Sequence, residues 1–368
     1  MNYIKMMFTY VPYAVLIVTA LSFVFRLPIG WKGRTAWLLW LAFCCSKFLC
    51  FMWLGNDVFV PDLPERFIWF WNWAYSGAVI LCCLSVVCWF RFPWKGWALP
   101  VMSGLLSAWG LWCGVKVPDV REIDLPVANL PENLDGYRIV HLTDLHASPA
   151  ARAWRTQAVV DRVNALKPDV VCLTGDYADG LPDRYRAVLE PLAELRAKDG
   201  VYAVTGNHEW FPWQLGWKNV IVDLGIPLLT NTCVTLRQNL VLAGVNDFRV
   251  QDPFTGALSG VYPDVGQAYA VATNGEFRIL LQHQPRAAHA NLAGHRVNLQ
   301  LSGHTHGGIM PVMSWLVGYS NEGFVRGLYW FGEAAVYVNS GCGQWPGFPM
   351  RFLVPSEIAL ITLRRIRL

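Results

Sequence analysis

The stretch YRIVHLTDLH, residues 137–146, is the part of this chain that says most about its fold. An apolar run from Tyr137 to Leu142 has the composition of a buried parallel strand, and the polar residues Asp144 and His146 follow it directly. Residues i and i+2 of an extended segment lie on the same face, so these two side chains can bind one ion. The stretch therefore predicts a strand that delivers two metal ligands at its carboxyl end.

Four later apolar runs are followed by polar residues in the same way. They are Val170 to Thr174 before Gly175-Asp176, Val201 to Thr205 before Gly206-Asn207-His208-Glu209, Ile279 to Leu281 before His283, and Leu299 to Leu301 before Gly303-His304-Thr305-His306. Open α/β sheets bind their ligands at the carboxyl ends of the strands. Carboxylate, amide and imidazole groups without a thiol indicate a pair of divalent metals rather than a structural zinc site.

The five motifs together resemble the calcineurin-like metallophosphoesterase superfamily, whose pattern is D-x-H, GD-x-x-D, GNH-[DE], a lone His and GH-x-H. All five parts occur in this order, and the resemblance covers roughly residues 120–368. The stretches LSGHTHGG, residues 301–308, and PSEI, residues 355–358, look like the bacterial membrane-associated branch. The resemblance implies an α/β fold of the αββα two-sheet type and a phosphoric ester hydrolase. It also implies two divalent metal ions, with manganese expected before iron or zinc.

The resemblance also implies a role for each matching residue. The first metal is expected to take Asp144, His146, Asp176 and His306, and the second Asp176, Asn207, His283 and His304. His208 is expected over the scissile bond as a proton donor, with Asp179 orienting it. Gly180 stands where the protein-phosphatase branch has arginine, which argues against a Ser/Thr protein phosphatase. Arg351, Arg286 and Arg326 are candidate phosphate clamps, with Arg351 ranked first, because guanidinium suits bidentate phosphate contact. A solvated surface arginine is the more common alternative for all three.

The chain as a whole is unusually apolar, and its long apolar stretches all lie in the amino-terminal third. Of the 368 residues, 54% are hydrophobic and 15% charged, against about 25% charged in a typical soluble protein. Four apolar stretches are long enough to cross a membrane: Met6 to Phe25, Ala36 to Leu54, Ile68 to Phe90 and Trp97 to Val115. Lys47, inside the second, is costly unless it faces the bundle or reaches the interface. We predict a transmembrane domain with four helices over residues 1–115, a linker over 116–136 and a metallophosphoesterase domain over 137–368.

The charges of the short loops predict the orientation. Arg26, Lys32 and Arg34 follow the first stretch and Arg91 and Lys95 the third, whereas Asp57, Asp62, Glu65 and Arg66 follow the second. Because positive loops stay in the cytoplasm, both termini are expected outside. This places the catalytic domain on the periplasmic or extracellular side of a bacterial inner membrane. A cleaved signal peptide is the alternative for the first stretch, but three further spans follow, which favours an uncleaved anchor.

These patterns predict a membrane-anchored phosphoesterase that cleaves a phosphodiester or pyrophosphate bond in a lipid or envelope component. The aromatic clusters at residues 210–217 and 310–317 are either buried or an apolar rim facing the bilayer. Expected partners are the bilayer and a phosphorylated lipid or small-molecule substrate. A net charge of +4 without a basic run argues against nucleic acid. The alternatives are a phosphomonoesterase or nucleotide phosphodiesterase on soluble substrates, a non-catalytic membrane-tethered binding module, and a transporter with a regulatory domain.

Overall fold

The computed structural model describes residues 3–57, 59–88, 97–148, 152–211, 216–250, 260–272 and 277–366. The chain divides into two compact units, Met1–Gly114 with Pro346–Met350, and Val115–Trp345 with Arg351–Leu368. The loop residues Arg91 and Lys95, on which the orientation partly depends, and the rim residue Trp213 lie outside the described residues.

The first unit is helical. Its helices are α1 (Tyr3–Ser22), α2 (Trp31–Cys45), α3 (Lys47–Gly55), α4 (Glu65–Val87) and α5 (Ala98–Val115). Helices α4 and α5 are each long and apolar enough to cross a membrane, and α2 and α3 qualify together as a pair bent by 55°. Within the described residues, the apolar segment Tyr10–Arg26 is shorter than a span. Length and composition thus support two or three spans where the sequence predicts four.

Small polar groups join the helices of this unit. The Ser107 hydroxyl donates to the Trp73 carbonyl at 2.7 Å, and the Trp73 indole donates to the Gly104 carbonyl at 2.9 Å. The hydroxyls of Ser22 and Ser85 are 2.5 Å apart. Such short polar side chains allow close helix contact in an apolar surrounding, where no water satisfies them.

The second unit contains two mixed sheets. The first has the order β1-β11-β2-β3-β4, and the second β5-β6-β7-β8-β10-β9. The strands are β1 (Asp119–Ala128), β2 (Arg138–Leu142), β3 (Val170–Leu173), β4 (Val201–Ala203), β5 (Thr232–Arg237), β6 (Leu240–Gly244), β7 (Phe277–Leu281), β8 (Leu299–Ser302), β9 (Gly327–Phe331), β10 (Ala334–Val338) and β11 (Glu357–Ile366). The helices are α6 (Ala153–Ala165), α7 (Pro182–Leu189), α8 (Trp217–Asp223), α9 (Val265–Ala268), α10 (Ala288–Gly294) and α11 (Pro311–Ser320).

Buried side chains form a core between the sheets and further cores outside them. Ile139 and Val170 of the first sheet pack in one cluster with Ile279 and Leu299 of the second. Outside the first sheet, the neighbouring strand residues pack against α6, α7 and α8, and outside the second sheet they pack against α9 and α10. Strand residues therefore alternate between the two sides of their sheet. This layering confirms the predicted αββα sandwich.

The segment from residue 119 to 128 lies inside the predicted linker but forms strand β1. All ten of its residues pair in parallel with β11 at the edge of the first sheet. Pro126 is compatible with this position because an edge strand has one side on which a missing N–H breaks no ladder bond. The prolines that indicate a linker therefore also fit an edge strand, and only pairing with β11 distinguishes the two.

Candidate metal centre

The five sequence motifs follow β2, β3 and β4 of the first sheet and β7 and β8 of the second. Five of the predicted ligands have left-handed backbone conformations, with φ between 49° and 71°: Asp144, His146, Asp176, His304 and His306. Residues other than glycine rarely adopt this region, and such strain concentrates at functional sites. Gly206 and Gly303 allow the close approach, since a Cβ at either position would collide with Asp176 or Asp144, respectively.

Asp144, His146 and His306 form one group of converging ligand atoms. Asp144 Oδ1 lies 3.4 Å from His306 Nε2 and 3.8 Å from His146 Nε2. The two imidazole Nε2 atoms are 3.1 Å apart. All three side chains offer an atom within 4.8 Å of the others, which is the spacing required around a single ion.

Asp176, His283 and His304 form a second such group. His283 Nε2 lies 3.1 Å from Asp176 Oδ2 and 3.2 Å from the amide oxygen of Asn207. Asp176 Oδ2 is also 3.9 Å from His146 Nε2 of the first group. Asp176 thus lies where a carboxylate shared by two metals would be, and all seven predicted ligands occupy one cluster.

The hydrogen bonds around the cluster fit metal ligation. His283 Nδ1 donates to the Thr174 carbonyl at 2.6 Å, and His146 Nδ1 lies 2.8 Å from Asp179 Oδ2. A ligand histidine usually donates its other ring N–H to a carbonyl or carboxylate in this way. Because Nδ1 carries the proton, Nε2 of each ring presents a lone pair toward the cluster. The donor set of two carboxylates, one amide and four imidazoles suits divalent cations.

Asp179 connects a ligand to the predicted catalytic histidine. Its Oδ1 is 2.6 Å from His208 Nδ1, while its Oδ2 contacts His146. Burial alone would lower the pKa of His208, but the carboxylates of Asp176 and Asp179 raise it above its ordinary value. Burial raises the pKa of Asp179, yet His146 and His208 bring it down to about 2. Asp179 therefore orients His208 through its Nδ1. The contact between Asp179 and His146 was not predicted.

Glu209 is a site residue whose role the sequence did not predict. Its buried carboxylate accepts the backbone N–H groups of Gly206 at 2.7 Å, Tyr177 at 2.8 Å and Asp176 at 3.0 Å. Burial, followed by the charge of Asp176, raises its pKa to about 7. The side chain thus joins the ligand loops after β3 and β4. The acidic fourth position of the GNH-[DE] pattern was the available signal.

A second unpredicted feature follows β6. Asn246 and Asp247 end an apolar run, as the other motifs do, and Gln284 donates to Asp247 at 2.8 Å beside His283. The neighbouring Arg249 guanidinium lies 4.8 Å from the Phe211 ring, and that ring lies 5.0 Å from His208. Arg249 and His208 thus both contact the ring of Phe211.

The three predicted phosphate clamps lie in different environments. Arg351 is buried and donates to the carbonyls of Ser340 at 2.5 Å, Gly343 at 2.8 Å and His306 at 2.9 Å. It therefore supports a ligand loop, because these carbonyls occupy its guanidinium. Arg286 is exposed over the Phe248 ring and Arg326 is exposed, and none of the described contacts joins either to a ligand side chain. The role of Arg286 and Arg326 as phosphate clamps stays a prediction.

The two aromatic clusters also differ. Trp210, Phe211 and Trp217 are buried, which fits the packing alternative rather than the apolar rim. Trp315 is 75% exposed and Leu316 50% exposed on α11.

His141 of β2 is not one of the seven predicted ligands. It is buried with its Nε2 2.8 Å from the Thr174 hydroxyl, and burial lowers its pKa to about 3.

The chain combines an αββα sandwich with seven converging oxygen and nitrogen donors at the ends of its strands. The calcineurin-like phosphoesterase family matches residues 137–308 of the chain. The uncharacterized metallophosphoesterase YkuE of Bacillus subtilis is 31% identical over 250 residues, covering 64% of this chain and 82% of that protein. The chain therefore belongs to the calcineurin-like metallophosphoesterases.

A transmembrane protein with a metallophosphoesterase domain from Danio rerio is 34% identical over 278 residues, which cover 72% of this chain and 62% of that protein. The chain thus spans less than two thirds of that relative's length. The crystal structure of a dimetal phosphatase from Danio rerio aligns with a TM-score of 0.38 and 14% identity, covering 58% of this chain and 90% of that one. The apolar helices of the first unit indicate membrane association.

Proposed function

We propose that this protein is a membrane-anchored phosphoesterase with two divalent metals that hydrolyses a phosphodiester or pyrophosphate bond in a lipid or envelope-linked substrate. The observation that carries the proposal is the convergence of two ligand groups, which meet at Asp176, beside the His208–Asp179 pair. Manganese is the metal proposed first, before iron or zinc, because carboxylate and amide oxygens suit a hard cation.

Each residue of the cluster has a distinct part in this proposal. Asp144, His146 and His306 would hold one ion and Asn207, His283 and His304 the other, with Asp176 shared. When bound, a metal pair polarises phosphoryl oxygens and lowers the pKa of water toward ~7. Asp179 holds His208 Nδ1, so that His208 Nε2 can donate a proton to the leaving oxygen. Arg249, near Phe211, would add positive charge for a phosphate oxygen.

Support for a lipid substrate comes from α11, which begins shortly after His306. Trp315, Leu316 and Tyr319 of this helix are 75%, 50% and 84% exposed, and the two aromatic rings stack at 6.5 Å. Exposed Trp and Tyr favour the bilayer interface because their rings combine apolar and polar parts. The same chain has apolar helices of membrane length. We therefore propose a bilayer and a phosphorylated lipid as partners.

One observation favours a second candidate, a phosphomonoesterase or nucleotide phosphodiesterase with a soluble substrate. Trp210, Phe211 and Trp217 are buried, so these described residues of the cluster nearest His208 in sequence offer no exposed apolar rim for acyl chains. A purely binding module is a weaker candidate because all seven predicted ligands and His208 share one cluster.

The test uses the full chain reconstituted in lipid nanodiscs. Chelator should remove activity on bis(p-nitrophenyl) phosphate, and Mn²⁺ should restore it. Vesicles that contain a lipid-linked diphosphate should then be hydrolysed faster than soluble nucleotide or sugar phosphates at equal concentration. Faster turnover of the soluble esters would select the second candidate. Failure of every ester after metal addition would refute the phosphoesterase proposal.

We also propose that the protein lies in a bacterial inner membrane with its catalytic unit on the periplasmic or extracellular side. The support is the excess of Arg and Lys in the loop after the first apolar stretch over that after the second. When a reporter enzyme that works only outside the cytoplasm is fused after Leu368, it should show activity. Activity of a cytoplasm-dependent reporter at the same position would contradict this orientation.

A further inference from the structure

Lys47 is a charged residue within the apolar unit that the proposed chemistry does not use. It begins α3, directly after the break at which α2 and α3 bend by 55°. Its side chain is fully buried, with 0% exposure. An ammonium group in such a place requires polar partners, since burial removes its hydration.

The partners of Lys47 come from a distant part of the sequence. Its Nζ donates to the carbonyls of Gly347 at 3.0 Å and Pro346 at 3.2 Å. The rings of Phe48, Phe51 and Tyr75 surround it at 4.8, 5.3 and 5.8 Å. Among the described residues, no acidic side chain forms an ion pair with it. Carbonyl dipoles and aromatic faces thus replace water around the cation.

The segment Pro346–Met350 is accordingly part of the first unit. The Phe348 ring packs edge-on against Tyr75, with centroids 5.9 Å apart and an interplanar angle of 85°. Pro346, Gly347, Pro349 and Met350 are buried. Two backbone carbonyls and one ring contact therefore fix a short apolar segment to α3 and α4.

The residues on both sides of this segment contact the ligand His306. The Trp345 ring stacks with the His306 ring at 6.5 Å. On the other side, Arg351 Nη1 donates to the His306 carbonyl at 2.9 Å, and its Nη2 lies 3.2 Å from His306 Nδ1. Five residues of chain thus separate two supports of one predicted metal ligand.

We propose that Lys47 is a positioning residue for the metal centre, and this inference rests on the proposed function. By binding the carbonyls of Pro346 and Gly347, it restrains the loop whose two flanking residues, Trp345 and Arg351, hold His306. A broken apolar helix with a charge at the break is otherwise typical of a transporter. Here the ammonium group of Lys47 instead donates to carbonyls of the same chain. The break between α2 and α3 thus places Lys47 where it can bind this loop. Lys47 would then act on His306 only through the chain segment that Trp345 and Arg351 flank.

The experiment compares Lys47→Met with Lys32→Met in the full chain in nanodiscs. Lys32 is an exposed residue of the same unit, so its substitution removes the same charge without touching the loop. Hydrogen exchange of peptides covering residues 343–352 should accelerate in Lys47→Met and stay at the wild-type rate in Lys32→Met. With bis(p-nitrophenyl) phosphate and Mn²⁺, kcat should fall by about tenfold in Lys47→Met, because misplacement of a ligand lowers turnover. KM should change much less, and Lys47→Arg should recover most of kcat.

Phe348→Ala is the second variant, in case Lys47→Met does not fold. It loosens the same segment while leaving the ammonium and both carbonyls in place, and it should raise exchange in the same peptides and lower kcat. Wild-type exchange and kcat in either folded variant would overturn the inference. The exchange measurement needs no substrate, so it still tests the restraint if the wild-type protein proves inactive. Inactivity of the wild type would instead refute the proposed function.

Discussion

The two units of this protein accommodate buried charge in different ways. In the α/β unit, Asp144, Asp176 and Asp179 lie among histidines, and each charge has partners of opposite sign or metal-ligand character. In the apolar unit, Lys47 has only neutral carbonyls and aromatic rings among its described partners. The first arrangement leaves anionic and imidazole groups that can bind cations. In the second, neutral carbonyls and aromatic rings already solvate the ammonium group of Lys47. Buried charge alone therefore does not identify a reactive site, and the chemistry of the neighbours decides.

Asp176→Asn is the substitution expected to lower hydrolytic activity most, and it tests the cation-binding arrangement of the α/β unit. Asp176 is the carboxylate that lies near both ligand groups, so a neutral amide removes the charge they share. Hydrolysis of bis(p-nitrophenyl) phosphate should fall to background, and metal content per protein should fall as well. Asp183→Asn, at an exposed position on α7, is the matched control and should keep wild-type activity. Substantial turnover in Asp176→Asn would contradict the shared-ligand role.

His208→Asn should have the next largest effect, without emptying the centre. His208 contacts Asp179 through Nδ1 and is not among the proposed ligands. Loss of a general acid reduces turnover by roughly 10²–10⁴-fold, and kcat should fall within that range. Metal content, measured by elemental analysis, should remain near that of the wild type. An empty centre in this variant would mean that His208 is a ligand and that the division of roles is wrong.

Asp169→Asn tests a buried charge of the α/β unit that lies away from the metal ligands. Asp169 accepts from Lys198 at 2.9 Å, Arg237 at 3.0 Å and the Arg138 N–H at 2.8 Å. Burial raises its pKa, but these three donors together lower it below its ordinary value. Loss of the charged hydrogen bonds should cost about 1–3 kcal/mol of unfolding free energy at neutral pH.

The pH dependence of that loss has a definite sign. A carboxylate with a lowered folded-state pKa stabilises the protein above its unfolded pKa of about 4, and the contribution disappears as pH falls through the folded pKa. Asn does not titrate, so the stability difference between wild type and Asp169→Asn should shrink as pH falls below about 4. Thermal unfolding in detergent across pH measures it. A difference that stays constant with pH would show that the charge contributes nothing.

Ser107→Ala should have the smallest effect and tests the apolar unit. Its hydroxyl donates to the Trp73 carbonyl at 2.7 Å. Hydrogen bonds between helices in a membrane contribute about 0.6 kcal/mol on average, so unfolding of the reconstituted protein should change by that order. Ser46→Ala is a control, because the Ser46 hydroxyl donates to the Phe43 carbonyl and contacts Cys50 Sγ, both within four residues of it in the chain. A loss well above the expected value would indicate that polar contacts, rather than packing, hold these helices.

The sequence alone was enough to predict the two-sheet fold, the metallophosphoesterase family and the seven side chains that converge in one cluster. Each ligand directly follows an apolar strand or ends a short motif, so local order in the chain places it at a predictable edge. The sequence also showed that Lys47 lies inside an apolar stretch, where a charge is costly, but it did not show which groups bind it.

The groups that support the predicted ligands become visible only in the folded structure. Glu209 joins two loops through backbone N–H groups, Arg351 binds carbonyls instead of remaining available to substrate, and residues 119–128 become a strand. Lys47 meets Pro346 and Gly347 across about 300 positions of sequence. Backbone carbonyls and N–H groups are present at every residue, so no sequence pattern indicates which of them a distant side chain will bind. That choice depends on how the chain folds in three dimensions.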